Sequence, residues 1–403
     1  MTNDVTTIRA SEKFKKAAEA LASGHDRFVE EIITLTEIPA PPFKEEVRSE
    51  AYEAMFKALG LEEVTRDDVN NVTGLRRGKG NGALVVAAAH LDTVFPEGTD
   101  VKVRREGTKL MAPGVGDDTR GLAALLAFIR ALDAAGIETE QDILFVGDVG
   151  EEGRGDLRGI RHLFTEGTYK DKIGSFFTFD GIEPFDLTTV AVGSLRYRIT
   201  FKGPGGHSLA AFGAVNPAYA LGHFLLGMSR IEVPEAPRSA YCASVIQGGT
   251  SVNAIPEDMC VEIDLRSEDA AILQRLDGEI HKLIEDAVAY ENGRGKTDKG
   301  EISVEIEQIG NRPAGKTDEN ADIVTISKAA ITALGFEVKT SASSTDANIP
   351  MSLGIPAVKF GHGGTGGNAH RLDEWIDVEP TESVRGLTAG LLALVATAGM
   401  YEA

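Results

Sequence analysis

Cysteine is nearly absent: the 403-residue chain has two, Cys242 and Cys260, both in stretches that read as strands. That scarcity argues against a thiolate zinc site or a disulfide framework and for buried, reduced thiols under the usual cytosolic redox rule. A single Trp and 6% aromatic residues give no sign of a nucleobase-stacking surface. No apolar run approaches the ~20 residues that span a bilayer, and the start, Met1-Thr2-Asn3-Asp4, has no basic segment leading into an apolar core. A non-exported, cytoplasmic protein is the simplest expectation. Basic residues are outnumbered as well, 41 Lys and Arg against 62 Asp and Glu, for a formal net charge of -21. Such an average surface repels nucleic acid and anionic membrane, so neither is expected as a partner.

The length exceeds a usual single core, and two domains are the default. Residues 7–36 read as a helix ended by Ile38-Pro39-Ala40-Pro41-Pro42, because prolines remove donors and restrict their neighbours. A second helix runs from Glu46 to Leu59. The continuous apolar stretch 84–89 suits a strand buried on both faces, as do 143–146 and 176–179, with a helix over 119–135 between the first two. Strands alternating with helices indicate a mostly parallel sheet covered on both sides, whose ligands collect beyond the carboxyl ends of the strands.

After about residue 191 the texture changes. Residues 195–201 and 259–265 alternate polar and apolar, as half-exposed antiparallel strands do. With helices over 215–229 and 268–290, the order becomes β-α-β-β-α-β, ending near 302–308, a small two-layer α/β domain. A Gly- and charge-rich loop is expected over 291–300. From Asn311 the first pattern returns, with a helix over 320–334, a strand over 357–360 and a closing helix over 380–398. The expected domains are therefore 1–191 with 309–403, and an insertion spanning 192–308.

Chemistry-bearing residues gather where the strands end. His90-Leu91-Asp92, Gly116-Asp117-Asp118, Gly150-Glu151-Glu152, Asp180-Gly181 and the late His370 supply imidazoles and carboxylates, the donor set of zinc and similar divalent cations. Asp92, two residues after His90, is placed to orient that ring. Asp118, ahead of helix 119–135, is either a cap or a carboxylate shared by two cations. Of the adjacent Glu151 and Glu152, one can bind metal while the other takes a proton from water.

These motifs, with Gly205-Gly206-His207-Ser208, are similar in kind and order to those of the co-catalytic zinc peptidase and deacylase family that includes peptidase T, glutamate carboxypeptidase, aminoacylase and acetylornithine deacetylase. The likeness covers nearly the whole chain and is nearest to the peptidase T-like branch. It implies a mostly parallel α/β zinc-hydrolase domain interrupted by a smaller two-layer lid or dimerisation domain. It further implies two zinc ions per subunit, with cobalt or manganese as substitutes. His90 and Asp180 would bind one, Glu152 and His370 the other, and Asp118 would bridge, since Asp118-Thr119-Arg120-Gly121 resembles the family's Asp-x-Lys-Gly pattern. Glu151 would be the general base and Asp92 the carboxylate behind His90.

On the substrate side, His207 would stabilise the tetrahedral oxyanion, from its own subunit or from the partner of a homodimer formed through the inserted domain. Asn253 resembles a substrate-contacting asparagine. Arg266 is suited to hold a substrate carboxylate, and His362 stands beside a glycine-rich loop as a possible substrate neighbour. Asp346 resembles a family position near the same rim. The expected reaction is hydrolysis of an amide in a short peptide; the alternative is an N-acyl amino acid deacylase, and the remote one a non-catalytic metal-binding dimeric scaffold.

Overall fold

In the computed structural model, residues 4–80 and 82–401 are described; residues 1–3, 81, 402 and 403, which the N-terminal reading and the expected domain limits include, lie outside them. The chain divides into two compact units, one running to Ala191 and resuming at Lys316, the other Val192–Gly315.

The first unit is built on a nine-stranded sheet. Strand Leu84–His90 lies between Ile143–Asp148 and Ile173–Thr178, parallel to both, and Ala357–Phe360 adds in parallel to Ile173–Thr178. Antiparallel strands Glu62–Arg66 and Val72–Arg76 continue one side. The strand period of two explains why the runs are apolar without interruption. Val85, Ala87, Ala89, Phe145 and Phe177 enter one core with helices Thr119–Ala135 and Pro380–Ala398, whereas Val86, Ala88, Leu144 and Phe176 enter another with Ile160 and Ile349. Both faces are covered, so the free rim is where the strands end.

The expected single helix over 7–36 is three: Val5–Ala10, Glu12–Ser23 and His25–Thr36. Ser11 makes the first break by accepting from Phe14 N, a cap that restarts the helix, and Gly24 makes the second. Lys339–Ser343 forms a further strand, parallel to Asp186–Ala191.

The second unit has strands in the order Ser239–Gly248, Asp258–Ser267, Gly193–Lys202, Ser303–Arg312, all antiparallel. Helices Pro217–Met228 and Ala270–Arg294 share a core with them through Phe201, Phe224, Ile263 and Ile280. The last strand runs past the expected 308 because its ladder continues to Arg312 opposite Ser194. The expected loop over 291–300 starts later, at Gly295. Glu291 is buried, pairs with Arg294 at 2.6 Å and accepts from Asn216 N at 2.8 Å, which carries the helix one turn further.

Candidate metal centre

Three adjacent parallel strands deliver their residues to one rim. His90 ends its strand and pairs in register with Asp148; Glu151 and Glu152 follow Asp148, and Asp180 follows Thr178. His90 Nε2 lies 2.9 Å from Asp117 Oδ1, and His370 Nε2 lies 3.0 Å from Asp117 Oδ2 and 2.8 Å from Glu152 Oε1. His90, Asp117 and Glu152 each offer one ligand atom within 4.8 Å of the others, and so do His90, Asp118 and Asp180. The structure thus assembles His90, Glu152, Asp180 and His370 around the Asp117–Asp118 pair.

The two aspartates, of which Asp118 was expected to bridge, differ in their contacts. Asp117 spans the imidazoles, one oxygen toward each. Asp118 points inward: its Oδ2 accepts from His90 N at 3.3 Å and its Oδ1 from Gly121 N at 3.2 Å, so it caps helix Thr119–Ala135. The peptide between the two is cis. A methyl group on Gly121 would collide with Asp118 Oδ1 and the Phe179 carbonyl. Gly121→Ala is accordingly expected to destabilise the fold by about 1–3 kcal/mol, read by urea denaturation of metal-free protein.

Asp92 also plays a different part from the one expected. Its carboxylate stands 3.7 Å from His90 Nδ1, beyond hydrogen-bond reach, and the ring nitrogen meets the Asp92 backbone carbonyl at 3.0 Å. The Asp92 side chain instead accepts from Glu151 N at 3.0 Å and Glu152 N at 2.8 Å, fixing the turn that carries both glutamates.

His362, expected as a substrate neighbour beside the glycine-rich loop, is buried. Its Nε2 lies 3.2 Å from Asp118 Oδ1, its backbone N donates to Gly181 O, and burial with nearby Arg120 and Lys359 holds its pKa well below the usual imidazole value.

Charge in the cluster is dense. Burial would push His90 down, but the Asp117 hydrogen bond and the surrounding carboxylates hold it well above its ordinary value. Hydrogen bonds to Asp117 and Glu152 push His370 up to about 11. Burial raises Glu152, Asp118 and Asp180, and the charge of Asp117 adds to each. This donor set of imidazole nitrogen and carboxylate oxygen fits a pair of divalent cations, whose charge would offset the desolvation.

Sequence reasoning passed over Asp148, while Asp346 was expected near the rim without a role. Asp148 and Asp346 are both buried. Burial pushes Asp148 up to about 7, and burial with the charges of Asp148 and Glu151 raises Asp346 well above the carboxylate range. Asp148 could have been found as an acid that ends an apolar strand, Ile143–Asp148. The other acid missed is Glu374, also buried, which accepts from the amides of Gly114, Gly116 and Asp117. Burial and Asp117 push its acid up to about 7 against the pull of those three donors.

The remaining expected residues lie in the second unit. His207 is exposed in the two-residue strand Gly206–His207, opposite Ala254. Its Nδ1 faces Leu209 N at 3.2 Å and Ala210 N at 3.4 Å, so the neutral ring carries its proton on Nε2. Asn253 is its neighbour, its carbonyl accepting from Ser208 N at 2.9 Å. Arg266 already has an acid partner, Asp264 at 2.7 Å on its own strand.

A carboxylate–imidazole cluster on the carboxyl rim of a doubly covered parallel sheet is the arrangement of a metal-dependent hydrolase. The sequence profile of Peptidase family M20/M25/M40 matches residues 86–396, and the chain belongs to that family. It is an enzyme of this dinuclear-metal class. A succinyl-diaminopimelate desuccinylase from Leptothrix cholodnii is 25% identical over 328 residues, 77% of this chain and 82% of the relative. Aminopeptidase PepT from Bacillus cereus shares the fold with a TM-score of 0.74 at 20% identity, over 92% of this chain and 99% of that one. A dinuclear metal-binding M20 peptidase from Bacillus subtilis has a TM-score of 0.67 at 17% identity, over 93% and 99%. Among the described residues no helix is long and apolar enough to cross a membrane.

Proposed function

We propose that the chain hydrolyses an amide bond of short peptides, with His90 and Asp180 holding one cation, Glu152 and His370 the other, and Asp117 spanning both. The observation that carries this reading is the placement of the two Asp117 oxygens, 2.9 and 3.0 Å from His90 and His370. Two bound divalent cations, zinc with cobalt or manganese as substitutes, supply Lewis-acid polarisation of the scissile carbonyl and a lowered pKa for the attacking water.

The chain's own groups do the rest. Glu151 takes the proton of the attacking water and returns it to the leaving nitrogen. Asp92 keeps Glu151 and Glu152 in fixed relation through their amides. His207 offers its Nε2–H to the developing oxyanion, in its own or a partner subunit's site. His207→Ala is expected to lower kcat by about 10²–10³-fold. Mixing this variant with Glu151→Gln separates the two arrangements: recovery of activity in the mixture shows a homodimer with the histidine acting in trans, and none shows action in cis. Cys242 is exposed and Cys260 half-buried, against the expectation of buried thiols; the scarcity of cysteine still favours a cytoplasmic location.

Likeness in fold to an aminopeptidase favours peptides; sequence similarity to a desuccinylase favours an N-acyl amino acid. Chelated protein, reloaded with zinc, cobalt or manganese, is to be assayed on di- and tripeptides with free and with acetylated amino termini. Metal-restored cleavage of the free peptides is expected. Cleavage confined to the acylated series overturns the peptide reading in favour of the deacylase, and no metal-restored cleavage of either overturns both substrate readings.

A further inference from the structure

Glu374 has no place in the cation site or the proton path, yet its carboxylate is 1% exposed and fully engaged. Its Oε2 accepts from Gly114 N at 2.7 Å, and its Oε1 accepts from Gly116 N at 2.8 Å and Asp117 N at 2.9 Å. These are amides of the turn that presents Asp117. The approach depends on glycine at 116, where a Cβ would stand 3.0 Å from Glu374 Oε1 and 2.9 Å from Ile376 Cγ2. Thr119 closes the same turn from its far end, donating its hydroxyl to Gly114 O at 2.8 Å.

Glu374 also belongs to the segment that carries His370. Its backbone N donates to Arg371 O at 3.1 Å, and its carbonyl accepts from Ala112 N at 3.1 Å. The residue therefore grips the Asp117 turn with both main chain and side chain, while standing four positions after His370.

We propose that Glu374 is a positioning residue that sets Asp117 against His370 before any cation binds, an inference that rests on reading those two as ligands. A carboxylate supplies acceptors to all three amides. A glutamine supplies one oxygen and an NH₂ group that would face an amide donor head-on, leaving a buried donor without an acceptor. The turn would then lose the fixed geometry that lets Asp117 reach both imidazoles.

The test is a cobalt titration of the metal-free full chain carrying Glu374→Gln, followed by absorption of the d–d bands and by zinc competition. Affinity for one equivalent is expected to fall about 10–100-fold, as for other groups that support ligands from behind, with a changed cobalt spectrum and unchanged far-ultraviolet circular dichroism. Wild-type affinity with a wild-type spectrum overturns the proposal, since a residue that only stabilised the fold would leave both unmoved. Asp117→Ala serves as control in the same titration. If it binds both equivalents normally, the ligand reading fails; if it does not while Glu374→Gln does, only the clamp fails. Should Glu374→Gln not fold, amide exchange in the unaltered metal-free chain decides. Slow exchange at Gly114, Gly116 and Asp117 is expected, and exchange at the rate of an open turn overturns the proposal.

Discussion

Glu151→Gln is expected to reduce kcat by roughly 10²–10⁴-fold, the range a positioned general base contributes. The amide is nearly the same size as the acid but cannot take a proton from water. Because the Asp92 carboxylate holds residues 151 and 152 through their backbone amides, the change leaves the turn and the neighbouring Glu152 in place. Cation content measured by elemental analysis should therefore equal that of the unaltered enzyme, with KM moving little. Retained peptide cleavage in this variant would remove Glu151 from the proton path.

The second large effect separates neighbours. Asp117→Ala removes the carboxylate between His90 and His370 and should cost more than the roughly 10–100-fold typical of groups lying behind a ligand, in both cation affinity and kcat. Asp118→Ala removes a helix cap and the contact with His362. Its main expected effect is on stability, about 0.5–2 kcal/mol for the cap, read by chemical denaturation. The reverse ranking, with Asp118→Ala stripping the cations and Asp117→Ala retaining them, would restore the assignment that the sequence pattern favours.

The contrast between these two aspartates marks where the sequence stops being legible. His90, Glu152 and Asp180 could be read because each follows an apolar strand, and a doubly covered parallel sheet places such residues on one rim. His370 follows no strand directly; its donor chemistry made it a candidate, and only the family resemblance paired it with Glu152. Asp117 and Asp118 are chemically identical and adjacent, so which one turns outward depends on backbone direction at the helix start. The same limit applies to Asp92, whose spacing from His90 suggested a side-chain contact that its own carbonyl makes instead. Glu374 was invisible for another reason: Arg371-Leu372-Asp373-Glu374 reads as a charged surface stretch, and only the three amides converging on one carboxylate reveal its burial. The breaks at Ser11 and Gly24 carried a capping signal that helix periodicity alone overrode.

Contacts between Glu374 and Gly114 join positions 260 residues apart, and the chain between them includes the whole of Val192–Gly315. Closing so long a loop costs entropy that grows only logarithmically, about 0.6 kcal/mol for each doubling of its length. Lengthening, shortening or replacing the inserted unit should therefore alter the closure entropy of the cation centre very little. Its size is free to change while the rim that holds the ligands stays as it is.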